Sequence, residues 1–577
     1  MLTDEAGNFT LNRIRNLMRL LPRFFVLLFG LAGFSSLSAL DFWDKKDPGP
    51  LADELVAAMS VPELASQVLM LAFPDPVPDP AILEWVSARS LGGVKFFGWN
   101  AGTPVQVASA SAVLQERSQR TRFRIPLLVA TDQEGGWVRH IKGTTTTTAG
   151  NLSLGASGLP SDAYQMGRLI GSELREMGVN MNFAPSVDLY TNAANTVIGP
   201  RSFGRDPLEA GVLGMAFFRG LESRGVIATA KHFPGHGDTA DDSHGRLPVL
   251  DVDRPTLEQR ELVPYKMLIA EGLGAIMSGH IAYPKVAGNG LPASLSPQLI
   301  DGLLRKDMGY QGVVLTDDLY MEGARPHGWS IAQAAEKALE AGNDLMLVSK
   351  PAWAQVAAWD DLAGRARRDP AFLEGLKTAA RRVLVLKLRA LKGPDSVPLI
   401  PRPGALAVPS AGADALVLGT TARGATVVAL STLPWNPTAG GPLVVTPYDG
   451  AYRAVANRFS GAILLEYPYE FFGSDPATRQ QIASRVAASR RTIFVLATPG
   501  GVGYLKALEP WKDKIAVVSV LSPVYLEEVP WVRDAVAVFG TNATAFEVAA
   551  AVLAGDIRPS GALPLRFGNF PRVSLKP

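Results

Sequence analysis

From Leu51 to about Lys392 the chain alternates short, continuous apolar runs with amphipathic stretches. The runs are LMLAF (69–73), GGVKFFG (92–98), PLLVATD (126–132), NMNFAPSVDL (180–189), IATAKHF (227–233), AIMSGHIAY (275–283), GVVLTDD (312–318) and NDLMLVS (343–349). Each has strand length, and apolar character on consecutive positions predicts strands buried on both faces. Segments of helical pattern lie between most of them, such as 162–177, 207–224 and 331–341. Eight strands alternating with helices over residues 50–392 predict an α/β fold, a (β/α)8 TIM-like barrel. An open doubly wound sheet is the alternative.

The rhythm breaks at GPDSVPLIPRPGALAVPSAG (393–412), whose proline and glycine content predicts a linker. It resumes with ATVVALS (425–431), PLVVT (442–446), AILLE (462–466), TIFVLAT (492–498), IAVVSVL (515–521) and AVAVFG (535–540), with helical patterns at 477–489 and 543–553. These predict a smaller α/β sheet domain over 413–568. It has no histidine and no dense acid–base cluster, so the chemistry is expected in the barrel.

Polar residues fall at or near the C-terminal ends of the apolar runs: Asp132, Asp188, Lys231, His232, His280, Asp317 and Asp318. In a barrel these ends share one face, and that face carries the active site. The densest cluster is ATAKHFPGHGDTADDSHGRLP (228–248), which holds three of the six histidines. Unpaired charges cost several kcal/mol to bury, so such a cluster is expected to line a cleft.

Composition removes several chemistries. Formal net charge is +2 with no basic stripe, so nucleic acid is not an expected partner. The absence of cysteine excludes disulfides, thiolate metal sites and a cysteine nucleophile. At the N-terminus, Arg13, Arg15, Arg19 and Arg23 precede an uncharged run at 24–40 that has small residues near Ser38 and Ala39. Residues 1–40 are therefore expected to be a signal peptide or an N-terminal hydrophobic anchor. The protein is expected to be exported, periplasmic or extracellular, with membrane association through 24–40 as the alternative. Oligomeric state is left open.

Within the cluster, Asp242 stands two residues from His244. Such a pair can hold an imidazole in one tautomer and raise its pKa, so that it gives a proton at neutral pH and later takes one back. A turn-capping Asp beside an exposed His is the equal alternative. In TDDL (316–319) adjacent carboxylates point to opposite faces, so only one of Asp317 and Asp318 can readily face the pocket. A carboxylate there can attack a sugar carbon or cap a helix. DQEGG (132–136) supplies a strand-end Asp132, suited to hydroxyl groups, and a glycine pair. RSFGRDP (201–207) offers Arg201 and Arg205, one for substrate and one for an acid or a helix cap. His232, His236, Asp238 and His244 could alternatively hold a hydrolytic metal.

KHFPGHGDT (231–239) with Asp242-Ser-His244, DQEGG, RSFG and TDDLYMEGA (316–324) resembles the β-N-acetylglucosaminidase (beta-hexosaminidase) branch of glycoside hydrolase family 3. The resemblance covers about residues 55–390, and the stretch ending GDIRPSGALPLRFG looks like the second α/β domain that many members carry. It implies Asp317 as the nucleophile, His244 as the acid/base and Asp242 as its orienting partner. It implies Asp132, Arg201, Lys231 and His232 as binders of the N-acetylglucosamine ring, with no metal or organic cofactor. The implied activity is retaining, exo-acting removal of terminal β-linked N-acetylglucosamine from peptidoglycan fragments or chitooligosaccharides. A β-glycosidase for another sugar and a non-catalytic sugar-binding relative are the alternatives, and the acceptor is open between water and phosphate. One departure stands out. The family's DQEGGRVQR reads DQEGGWVRH here, so Trp137 and His140 replace two arginines, and Arg139 is one position early.

Overall fold

All eight predicted runs contain a strand of one parallel sheet. They are β1 Leu69–Leu71, β2 Gly93–Phe96, β3 Leu128–Thr131, β4 Met181–Asn182, β5 Ile227–Phe233, β6 Ala275–Ser278, β7 Val313–Thr316 and β8 Met346–Val348. The strand order is β8-β1-β2-β3-β4-β5-β6-β7. At the remaining seam Leu315 and Leu345 form a parallel bridge, and the N–H of Thr316 donates to the carbonyl of Leu345 at 3.0 Å. Sequential neighbours and a joined seam make the sheet a TIM-like barrel rather than an open doubly wound sheet.

The structure, a computed structural model, describes residues 40–438 and 440–565. The predicted signal or anchor lies outside these residues apart from Leu40. Among the described residues, no helix is long and apolar enough to cross a membrane.

Two strands fall furthest short of their apolar runs. The run at 180–189 yields only the two residues of β4, because Pro185 has no N–H to give the ladder. Beyond it the chain stays in place through Phe183 N–H to Thr131 O at 2.9 Å and Val187 N–H to Lys231 O at 2.9 Å. The run at 275–283 stops pairing with β7 after Ser278, and the chain turns away at Gly279 and His280. The helices follow their signals. The one at Ile331–Ala341 opens with a Ser330/Gln333 capping box and closes on Gly342 in the left-handed region.

Residues 393–412 contain only a single short helical turn, Pro403–Ala405, and run over the barrel. They are tied to it by Arg175 Nη1 donating to Asp395 O at 2.6 Å and by Ser410 N–H donating to Glu173 at 3.1 Å. The second sheet has β9 Thr426–Ala429, β10 Leu443–Thr446, β11 Ile463–Glu466, β12 Thr492–Leu496, β13 Ile515–Ser519 and β14 Ala535–Ala537. Its order is β9-β14-β13-β12-β10-β11, parallel except for the edge strand β9. This domain braces the polar face of the barrel. Tyr190, just past β4, meets Ser522 Oγ at 3.1 Å, and Asn542 Nδ2 donates to Thr147 O at 2.9 Å.

Candidate active site

Lys231 and His232 are consecutive, and in a regular strand they would face opposite ways. Here Ala230 pairs with Ile276 and Phe233 with Ser278, so three steps on β5 oppose two on β6. The bulge lets both side chains serve one polar cluster. Lys231 Nζ pairs with Asp132, and its distance to Glu134 Oε1 is 2.6 Å. His232 donates from Nδ1 to Asp188 at 2.7 Å, and its Nε2 stands 3.4 Å from Arg201 Nη2. A guanidinium only donates, so that contact uses the Nε2 lone pair and fixes the tautomer.

Arg201 is clamped by Glu134 in a two-point pair, Nε to Oε2 at 2.9 Å and Nη2 to Oε1 at 2.8 Å. The residue pattern alone left open which arginine binds substrate and which pairs with an acid, while the family resemblance implied Arg201 as the binder. Arg201 is in the cleft wall and also takes the acid. Arg205 is exposed, its N–H bonds to Pro564 O at 3.1 Å, and the following helix is capped by Asp206 instead.

Asp132 is the hub of the positive groups. Lys95 Nζ lies 2.7 Å from its Oδ2, and His140 Nδ1 lies 3.5 Å from the same oxygen. Burial disfavours its charged form, yet Lys231 and Lys95 outweigh burial and hold the carboxyl well below its usual range. Burial and the nearby Lys95 push His140 down to about 4, so at neutral pH it is an uncharged ring beside Asp132. Arg139 turns away, donating to Thr145 O at 2.6 Å, and does not replace the missing guanidinium. The hairpin carrying these residues turns at Gly136, where φ is +60° and a Cβ would come within 2.8 Å of Gly150 Cα.

Asp188 is a structural anchor. Its carboxylate accepts from His232 Nδ1, from Ser186 Oγ at 3.1 Å and from the N–H of His236 at 2.7 Å. Burial opposes its charge, but His232 beside it and these donors keep it ionised. The loop after β5 is thereby pinned at its base. Asp238 is engaged by Arg260 at 2.7 Å and Thr191 at 2.7 Å, and His236 Nε2 meets Ser243 Oγ at 3.3 Å. Gly237 lies so close to the preceding strand end that a Cβ would meet Leu189 O at 1.5 Å. The alternative metal set of His232, His236, Asp238 and His244 is not brought together, since each ligand but His236 is spent on a different acid or base. Among the described residues no His, Asp and Glu group is arranged to hold a metal ion.

The tip of the same loop carries Asp242 and His244. His244 Nδ1 is 2.7 Å from Asp242 Oδ1, and the His244 side chain is 71% exposed. The hydrogen bond that His244 donates to Asp242 holds the His244 pKa above its ordinary value despite some burial, with the charges of Asp242 and Asp317 acting in the same direction. Nδ1–H is therefore committed to Asp242, and Nε2 is the atom free to exchange a proton.

Asp317 and Asp318 divide as their alternation requires. Asp318 is buried, and its Oδ1 accepts the N–H of Tyr320 at 3.1 Å and of Ser349 at 3.1 Å, stitching β7 to the end of β8. Asp317 is half-buried, and among the described residues its carboxylate accepts only the N–H of Asp318 at 2.8 Å. Burial opposes its ionisation, but His232, His280 and that N–H outweigh it and hold its pKa below the ordinary value. Nearby His280 donates from Nε2 to Asp318 O at 3.1 Å and meets Ser294 Oγ at 2.7 Å through Nδ1, and these two contacts fix the ring beside Asp317.

Sequence reasoning missed two residues. Lys95 was hidden in an apolar strand run, and Glu134 was passed over beside the glycine pair. Charge balance was the available signal: Lys231, Arg201 and a third cation need more than Asp132 as counter-charge.

The C-terminal mouth of the barrel thus carries an ionised carboxylate at the end of β7 and a His–Asp dyad on the loop after β5, groups of the kinds that nucleophilic and acid–base catalysis use. The chain belongs to glycosyl hydrolase family 3: the profile of its N-terminal domain matches residues 56–386. Among relatives, a Beta-hexosaminidase A from Pseudoalteromonas piscicida is 38% identical over 284 residues, 47% of each chain. A Beta-hexosaminidase from Xylella fastidiosa (strain 9a5c) is 36% identical over 51% of this chain and 86% of its own. This chain thus spans about half the length of the first relative and most of the second. A solved glycoside hydrolase family 3 beta-N-acetylglucosaminidase from Paenibacillus sp. str. FPU-7 superposes with a TM-score of 0.81 at 32% identity, covering 88% of this chain and 99% of that one. The similarity to that structure therefore extends across both domains.

Proposed function

We propose that the protein is a retaining, exo-acting β-N-acetylglucosaminidase. The observation that carries this reading is the pairing of an available, ionised Asp317 with a His244 whose Nδ1 is committed to Asp242. In the first step an Asp317 carboxylate oxygen attacks the anomeric carbon. The bond to the leaving oxygen breaks, and His244 Nε2–H protonates that oxygen. In the second, His244 takes a proton from water, whose oxygen displaces Asp317 and restores the β configuration. Asp132, Arg201, Lys231 and His232, joined by Lys95 and Glu134, grip the hydroxyls of the sugar ring. The substrates proposed are peptidoglycan fragments or chitooligosaccharides with terminal β-linked N-acetylglucosamine.

A second reading, a β-glycosidase for another sugar, is favoured by one observation: no guanidinium replaces the arginine lost at position 140, because Arg139 is bonded to Thr145. The deciding experiment compares hydrolysis of a chromogenic β-N-acetylglucosaminide with the matching β-glucoside. Preference for the N-acetylglucosaminide supports the first reading, and preference for the glucoside supports the second. Export is proposed on residues 24–40 alone, and N-terminal sequencing of the mature protein tests it.

A further inference from the structure

The arginine that turns away from the cleft is the first link in a chain of hydrogen bonds that ends in the second domain. Gln133 pairs with Arg139 across a short antiparallel hairpin, and the N–H of His140 closes it by donating to Asp132 O at 3.0 Å. Asp132 and His140 therefore stand side by side on its two arms. His140 Nδ1 lies 3.5 Å from Asp132 Oδ2 and, among the described residues, makes no hydrogen bond. The distance of the ring from Asp132 is thus set by the backbone that carries it.

That backbone is held one residue earlier. Arg139 Nη1 donates to Thr145 O at 2.6 Å and to Thr145 Oγ1 at 3.0 Å, and Thr145 Oγ1 donates on to Ile141 O at 2.7 Å. Thr145 is the second of five consecutive threonines, 144–148. This loop is fixed from two sides. The N–H of Thr146 donates to Glu173, on the helix Pro160–Glu176, at 2.9 Å. One residue further, Thr147 O accepts Asn542 Nδ2 of the second domain at 2.9 Å. Asn542 is itself fixed as the cap of the helix Ala543–Ala554, its Oδ1 accepting the N–H of Ala545 at 2.9 Å. Burial disfavours the charge of Arg139, and the charge of Glu173 offsets part of that. A neutral side chain would fill the space without this cost. What the guanidinium adds is two directed bonds that hold the arm beside His140.

We propose that Asn542, Thr145 and Arg139 form a positioning chain through which the second domain sets His140 against Asp132, and with it the fit of the sugar ring. None of the three touches the sugar. The inference rests on the glycosidase reading, in which Asp132 grips the ring.

The test uses the full-length protein and the variants Asn542→Ser, Arg139→Met, the two combined, and Arg139→Lys. A serine still caps the helix but is too short to reach Thr147 O. On a chromogenic β-N-acetylglucosaminide, Asn542→Ser and Arg139→Met should each raise KM by roughly two- to tenfold, the range of one lost hydrogen bond, with kcat nearly unchanged. The split is expected because the loss falls on ring binding and not on the reacting bond. The double variant should be no worse than the more impaired single one, since both changes cut the same chain. Arg139→Lys keeps a donor for Thr145 O and should recover part of the loss. Additive losses in the double variant overturn the chain. So does an Asn542→Ser protein that unfolds at lower temperature with its KM unchanged, or a rise in KM confined to Arg139→Met, which would mean that Arg139 meets the sugar itself. Wild type inactive on both the chromogenic β-N-acetylglucosaminide and the matching β-glucoside would defeat the glycosidase reading. Active wild type with unaltered KM in every variant defeats only the positioning chain.

Discussion

The Oδ1 of Asp242 accepts two hydrogen bonds from His244, one from the ring Nδ1 at 2.7 Å and one from the backbone N–H at 2.9 Å. The carboxylate thus fixes both the place of the residue and the tautomer of its ring. His244→Ala should slow poor leaving groups by about 10²–10⁴-fold, the usual range of general acid help, and good ones far less. The reason is that a good leaving group departs without a proton. Asp242→Ala should give a milder version. A leaving-group series on wild type and both variants checks this. Equal losses along the series would show that another group supplies the proton.

The pH profile follows from the same contact. The general acid must be protonated, so kcat/KM falls as pH rises through the His244 pKa. Asp242 holds that pKa above the ordinary 6.5, so the alkaline limb of wild type should lie above it. In Asp242→Asn the anion is gone while the burial that lowers the pKa remains, so the limb should move to lower pH. Asp317 must be ionised and its pKa is held below 3.8, so the acid limb should stay below that value in both proteins.

Asp317 and Asp318 should fail differently. Asp317→Ala removes the attacking oxygen and touches one local N–H, so turnover should drop by roughly 10³-fold or more with the fold intact. Azide should restore part of the rate as an α-glycosyl azide. Asp318→Ala leaves the N–H groups of Tyr320 and Ser349 without their acceptor, at a cost of about 1–3 kcal/mol. Thermal unfolding and product analysis on the two variants separate these effects.

Why one part of the site was readable and another was not comes down to alternation and charge. Strand-end positions were legible because buried strands are apolar throughout, so Asp132, Lys231 and Asp317 stood out as interruptions. The Asp317/Asp318 division followed from the alternation of side chains. The barrel and the second sheet followed from the same rhythm, although β4 is far shorter than its apolar run because a proline interrupts it. The joint use of Lys231 and His232 was not legible, since it depends on a bulge that only cross-strand register reveals. Lys95 sat inside an apolar run with nothing local to mark it. The turning of Arg139 to Thr145 depends on where a loop six residues on returns.

Away from the mouth, Lys387 is fully buried, and among the described residues its amine makes one hydrogen bond, to Gln67 Oε1 at 3.1 Å. Burial pulls its pKa down to about 7. The unfolded chain, at about 10.4, binds the proton more tightly, so wild-type stability should rise with pH between about 7 and 10. Lys387→Met removes this penalty. It should stabilise the protein by roughly 2–4 kcal/mol at pH 7 and by much less near pH 10, less the cost of the unpaired Gln67 oxygen. Urea unfolding of both proteins at the two pH values checks it. A gain independent of pH would mean that the amine is not titrating.

The central claim is that Asp317 forms a covalent bond to the sugar while His244 moves the proton. The most direct measurement is mass spectrometry of His244→Ala quenched during turnover of a chromogenic β-N-acetylglucosaminide. With an activated leaving group the first step proceeds and the second lacks its base, so the intermediate accumulates. The expected result is one N-acetylhexosaminyl group added to the protein, on the peptide that contains Asp317. A group carried on a different peptide, or steady turnover by Asp317→Ala at the wild-type rate, would contradict the account.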